Sequence, residues 1–445
     1  MNLSRPLSIA CLVIVLPHSA NAGTIKVKPG GPHPTIASGI AAASVGDIVR
    51  IEAGTYQENV VVPGALTGLT LVAHGKVVIE ARPAGGAPSG PGIDVQADGV
   101  TIDGIVVRNA ATLDFDHPGV GIRVAANSFT ARDVTTLRCN PAGIDVDGDN
   151  VLIERWSEIG SSDGLDLHDG QHAVVRDCRA RQVNGAAIRI SAYTDAVVED
   201  CQFKLIESDA VSAGDATNSQ IIARRNRVDQ SADFAFRIAG DAAVVEDNTI
   251  TDSNAGIIVR GNGFVVRRNT LRRTYGFTGI LVDDSTSGTI EENDIRDVRA
   301  IGIDIRDNAS ATLVKNNVLR SVLEVDQPAI RIRGSNVELD GNEVRDCAGD
   351  GIVISGVANL VTNNVVEDCL RDGFDLESGA NANTISACTA RRCLAEGLDN
   401  SGSGQFIDNN TFEDCRIDVA NDGSFSSFTG NTFATGGQST PPEID

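Results

Sequence analysis

Short runs of alternating apolar and polar residues recur along most of the chain. From about residue 100, an apolar-x-apolar run ends repeatedly on Asn or Cys. The positions are Cys178, Cys201, Asn226, Asn248, Asn269, Asn293, Asn317, Asn342, Asn364, Cys388, Asn410 and Asn431. The eleven steps between the first and the last average about 23 residues. Between them lies a second marker, Gly or Ala followed by apolar-x-apolar, as in Gly143-Ile144-Asp145-Val146, Gly164-Leu165-Asp166-Leu167 and Gly302-Ile303-Asp304-Ile305. A period of two in such short runs excludes helical repeats. The return segments are polar and β-branched, which does not suit a leucine-rich repeat. The predicted fold is all-β: a single right-handed parallel β-helix of about fifteen coils, stacked about 4.8 Å apart. The recurring Asn then forms an internal ladder, with each amide bonded to the coils above and below.

The two ends depart from this pattern. Residues 1–22 combine Arg5, the apolar run Leu7–Leu16 and an Ala20-Asn21-Ala22 cleavage site, the pattern of an export signal. Residues 23–80 form the cap and first coils, 81–435 the β-helix, and 436–445 a polar tail. With Cys11 removed, eight cysteines remain. Cys178 and Cys201 take ladder positions, while Cys347, Cys369, Cys393 and Cys415 share a second phase. Stacked cysteines on neighbouring coils lie within disulfide range, and a column of small buried thiols is the equal alternative.

Residues 23–80 resemble the entry segment of the pectin-lyase-like β-helix superfamily. The run Thr35–Ala43 reads as a short amphipathic helix, and Gly46–Ile51 and Gly54–Val60 follow as strands. The resemblance implies that this helix covers the open end of the stack, as a solenoid requires. Gly54-Thr55-Tyr56-Gln57-Glu58-Asn59-Val60 is also similar to a string in pectin methylesterases. Their later catalytic motifs are absent here, and that activity is not carried over.

Charge narrows the class of partner. There are 60 acidic and 37 basic residues, for a net charge of -23. That disfavours nucleic acid and anionic membranes. No apolar stretch is long enough to span a membrane as a helix. The basic residues are mostly Arg, suited to bidentate recognition of carboxylates. A monomer is expected.

In each Gly-apolar-x-apolar strand the x residue points outward. Down the stack these include Asp94, Arg123, Asp145, Asp166, Arg189, Ser212, Arg237, Ile258, Leu281, Asp304, Arg331, Val353, Asp375 and Asp399. Two residues on lie Asp147, His168, Ser191, Arg260, Asp283, Arg306 and Arg333. Most of these read as a solvated sheet whose acids and arginines pair between coils. The densest cluster is Asp145, Asp147, Asp166, His168, Arg189, Ser191 and nearby Tyr193, on three consecutive coils within about 10 Å.

The segment Asp163-Gly164-Leu165-Asp166-Leu167-His168 is similar to the Tyr-Gly-Phe-Asp-Pro-His segment of alginate C5-epimerases. The resemblance implies that their catalytic Asp and His map onto Asp166 and His168. Asp163 stands where that family has Tyr, and Leu167 where it has Pro. Tyr193, one coil on, is the substitute for the missing aromatic acid or base.

The candidate catalytic residues are therefore Asp145, Asp166, His168 and Arg189. Arg123, Asp147, Tyr193 and Arg237 are the candidates for substrate binding. Abstraction of the C5 proton of a uronate needs its carboxylate neutralised, the task given to Arg189 or Arg237. His168 is the expected base, tuned by Asp166. The expected activity is that of a lyase or epimerase on an acidic polysaccharide. The alternatives are a glycosidase using Asp145 and Asp166 as its carboxylate pair, and a non-catalytic glycan-binding or accessory protein. Ca²⁺ is a candidate ligand of Asp145-Val146-Asp147-Gly148-Asp149-Asn150, which lacks the sixth-position Gly and the later Glu of an EF-hand loop.

Overall fold

The computed structural model describes residues 22–81, 90–108 and 119–434. The expected export segment up to residue 21, with Cys11, lies outside them, as does the tail from 435. The strands form one continuous solenoid, and every named strand pair is parallel. It has about 17 turns rather than about fifteen. The first turns, built on Thr24–Val27, Ile48–Tyr56 and Thr70–Glu80, carry neither sequence marker, so the repeat undercounts them.

Three corners per coil shape the stack, as at Ala242, Asp247 and Asp252 or at Ala382, Ala387 and Arg392. At each, one residue adopts a left-handed conformation and the next turns its side chain inward. Asp177, Asp200, Arg225, Asp247, Arg268, Glu292 and Asn316 all have φ of 53–57° and precede ladder positions. Left-handed backbone costs an L-residue about 1–2 kcal/mol, so the short Asp and Asn side chains that bond locally suit these corners. Inward Val, Ile and Leu fill the interior. Burying each contributes about 1.5–3 kcal/mol.

The ladder forms as expected. Asn317 Oδ1 accepts from Asn293 N and Nδ2 at 3.0 and 2.9 Å. Its own Nδ2 donates to Asn342 Oδ1 at 2.9 Å and to the Ile290 carbonyl at 3.0 Å. A shorter second ladder runs through Asn359, Asn383 and Gln405 on a neighbouring bend. Replacing Asn317 by Ala orphans several buried groups and is expected to destabilise the fold by about 2–4 kcal/mol. Asn317→Cys should cost less, because Cys388 occupies the same column and accepts a bond from Asn364 Nδ2 at 3.8 Å. Denaturation midpoints of the two variants check this.

All eight cysteines among the described residues are buried, and Cys178, Cys201, Cys347, Cys369, Cys388, Cys393 and Cys415 are thiols. The column of Cys347, Cys369, Cys393 and Cys415 continues through Val322 and Val298, which are also buried. It holds small inward groups of several kinds.

At the N-terminal end, helix Ile36–Ala41 covers the first coil with Ile36 and Ile40 buried. Thr35 and Ser38 form a capping box. Glu58 accepts from Ile36 N and Ala37 N at 2.8 and 3.0 Å, placing a carboxylate on the positive end of the helix.

Candidate active site

Parallel register brings the predicted residues to one outer face. Arg123 lies opposite Asp145, Asp145 opposite Asp166, Asp166 opposite Arg189, and Asp147 opposite His168. The strand Asp163–Arg176 occupies the centre. Its Leu165 and Leu167 are fully buried, so the pleat turns Asp166 and His168 outward. Gly164 precedes them because a side chain there would meet the Ala187 carbonyl and the Trp156 ring.

His168 Nε2 lies 2.8 Å from Asp145 Oδ1, a diagonal contact to the preceding coil. Asp169 stands 3.5 Å from Nδ1. The bond to Asp145 is the main force raising the His168 pKa to about 9; partial burial opposes it. His168 is therefore an imidazolium at neutral pH. This changes its expected role: a charged imidazole cannot take a proton, and its partner is Asp145 rather than Asp166.

The Asp166 carboxylate makes no hydrogen bond or ion pair with any described residue. Burial, and then the charge of Asp145, push its pKa up to about 6. At neutral pH it is an ionised carboxylate with uncommitted lone pairs beside a cation. That is the state expected of a general base. Arg189 is tied by Nη2 to Asp163 Oδ1 at 2.9 Å but remains 43% exposed, so its other donors are open. Asp163 also accepts from Ala186 N at 2.8 Å. It thus holds Arg189 in place instead of acting where an aromatic residue was expected.

The substrate-binding candidates divide. Asp147 is exposed at the edge of the cluster. Arg123 is held bidentately by Asp94 at 2.9 and 3.0 Å. Arg237 is held by Asp209 and Asp233 at 2.8 and 2.6 Å and packs 4.8 Å over the Phe234 ring. Tyr193 is corrected outright. It is fully buried, and its hydroxyl donates to the Gly148 carbonyl at 2.8 Å. Ala192, at φ 50°, adds a corner that shifts the alternation and turns Tyr193 inward. Ile258 and Leu281, outward by alternation, are nevertheless buried in a small outer cluster with Phe234 and Ala255.

The Asp145–Asn150 string does not converge on a cation. Asp145 binds His168, and Asp149 accepts from Gln171 N at 3.0 Å. Among the described residues, no group of three or more His, Cys, Asp or Glu side chains is arranged to hold a metal. Also among them, no helix is long and apolar enough to cross a membrane.

Comparison with known proteins agrees with this fold. The model of the right handed beta helix region matches residues 119–271, 190–322 and 278–433, together well over half of the chain. The chain belongs to the right-handed β-helix family. No curated protein matches it. Among solved structures, this β-helix is similar to a PL6 alginate lyase complexed with a trisaccharide. The identity is 13%, with 73% of this chain and 86% of that one covered and a TM-score of 0.55. It is also similar to the N-terminal fragment of bacteriophage phi29 gene product 12, at 11% identity, with 90% and 88% covered and a TM-score of 0.59. At these identities the likeness is one of fold.

Proposed function

We propose that this protein is exported and acts on an acidic, uronate-containing polysaccharide by abstracting the C5 proton. The observation that carries this reading is Asp166: an uncommitted carboxylate with a raised pKa, set between an imidazolium and a guanidinium on a solvent-facing sheet. Asp166 takes the proton. His168 and Arg189 neutralise the uronate carboxylate, which stabilises the resulting carbanion. Asp145 keeps His168 charged and oriented, and Asp163 does the same for Arg189. Return of a proton to the other face gives epimerisation, and expulsion of the 4-linked sugar gives elimination. The alginate lyase of the same fold supports the substrate class, and the residue 1–22 pattern supports export. The glycosidase alternative is weaker, because Asp145 is committed to His168.

The test is time-resolved proton NMR of the protein with alginate, pectate and a glycosaminoglycan, with and without Ca²⁺. New vinylic signals report elimination, and altered anomeric ratios without cleavage report epimerisation. Either should vanish in His168→Ala. Unchanged spectra across the panel would leave the non-catalytic glycan-binding reading in its place.

A further inference from the structure

Two arrangements of arginine stand out among the described residues. Arg155, Arg268, Arg273 and Arg392 are each closed by bidentate bonds to an aspartate one coil back, at 2.7–2.8 Å. A row further down the outer face is different. Arg260 and Arg306 share a single carboxylate, Asp283, which Arg260 meets at 3.0 Å and Arg306 by one nitrogen at 3.3 Å. Arg333 binds Asp304 through Nη2 alone, and its buried Nε has no acceptor. Among the described residues Arg331 has no carboxylate within ion-pair distance, and its one side-chain hydrogen bond is to Gln327 Oε1, at 3.4 Å.

The row is built rather than incidental. Asp283 and Asp304 are 7% and 5% exposed, and they anchor the guanidiniums from below. Asn308 Nδ2 steadies Asp283 at 2.9 Å. A groove opens beside Arg260 and Asp283, floored by Gly240 and Gly261. A side chain at either glycine would meet the backbone of the preceding coil. Four guanidiniums face two carboxylates along the row, with Asp241, Asp284 and Asp307 in the turn beyond it. In a chain of net charge -23, Arg331 and the unpartnered Nε of Arg333 leave prepositioned donors open to an external oxyanion.

We infer that Arg260, Arg306, Arg331 and Arg333 form a second binding site, one that takes the anionic substituents, carboxylate or sulfate ester, of a glycan chain lying along the outer face. Register puts this row four to seven coils beyond Asp166, about 20–35 Å along the axis. It is therefore separate from the Asp166–His168 centre and would hold a distant part of the same polymer. The inference takes its ligand class from the acidic-glycan reading, but it does not depend on any chemistry at Asp166.

The test is calorimetric titration with three probes of matched length: an oligouronate, a sulfated heparin oligosaccharide and a neutral cello-oligosaccharide. Wild-type protein should bind at least one anionic probe, more weakly as salt is raised, and should not bind the neutral one. The anionic probe that binds more tightly identifies the substituent. Arg331→Gln should weaken binding about tenfold. It leaves no carboxylate orphaned, so the fold should persist. Asp166→Asn should leave binding at this row intact. Equal affinity in Arg331→Gln, neutral binding as tight as anionic, or no binding of any probe would overturn the inference. Anionic binding that depends on Arg331, in a protein without turnover, would uphold this site and remove the proposed chemistry. Turnover with no effect of Arg331 would do the reverse.

Discussion

Asp166→Asn is expected to lower kcat on an acidic polysaccharide by about 10²–10⁴-fold, the usual contribution of a positioned acid or base. The substitution keeps the shape and removes only the ability to accept a proton. Asp166 bonds to no described side chain, so nothing is orphaned; and because its pKa is raised in the folded protein, removing its charge should leave the melting temperature at neutral pH unchanged or higher, not lower. The pH profile of kcat/KM carries a second signature. Burial and the charge of Asp145 raise the Asp166 pKa to about 6, so activity should rise through that value as the base ionises. The bond to Asp145 raises His168 to about 9, so activity should fall through that value as the imidazolium loses its charge. His168→Gln should lower activity and abolish the alkaline limb while leaving the acid limb. Loss of the acid limb in His168→Gln, with the alkaline limb kept, would instead make neutral His168 the base.

Glu158→Gln is expected to stabilise the protein above pH 7 by about 3 kcal/mol. Glu158 is 1% exposed inside the coils beneath the candidate site. It accepts from Ser161 N at 3.1 Å and from Thr136 Oγ1, and Trp156 Nε1 donates to that hydroxyl at 2.8 Å. Burial outweighs these bonds and raises its pKa from 4.5 to about 7. The folded state therefore favours the neutral acid. That preference is harmless below pH 4.5, where the unfolded chain is also protonated. Between 4.5 and about 7 the unfolded chain ionises first and stability falls. Above about 7 the full penalty stands, about 3 kcal/mol for this shift. Glutamine offers a donor and an acceptor as the neutral acid does, without a titration. Denaturation of both proteins from pH 4 to 9 should show wild-type stability declining over this interval more than that of the variant. Parallel curves would mean that Glu158 is not the titrating group.

The fold was legible because its signals repeat. Asn248, Asn269 and Asn293 mark one inner column at nearly constant spacing, and the outward residues follow by alternation alone. The pairing of Asp145 with Asp166, and of Asp166 with Arg189, came from that register. What stayed hidden depends on single corners and on side-chain reach. Tyr193 turns inward because of one left-handed residue, Ala192. Glu158 and Ile159 invert the expected order: the acid is inside and the isoleucine is 41% exposed. Counting alternation from the buried Trp156 would have placed Glu158 inside, but its polarity argued the other way. His168 reaches diagonally to Asp145, although the residue opposite it is Asp147. Asp163, which holds Arg189, opens its strand, and Asp209, which holds Arg237, lies just before the strand Val211–Ala213; both are outside the alternating columns.

The most direct test of proton abstraction at Asp166 is incubation of the polysaccharide with the protein in D₂O, read by NMR at C5. Wild-type protein should produce either deuterium at C5 or a 4,5-unsaturated end, and Asp166→Asn neither. New reducing ends with every C5 proton retained would show hydrolysis and contradict the account, as would C5 exchange that persists in Asp166→Asn.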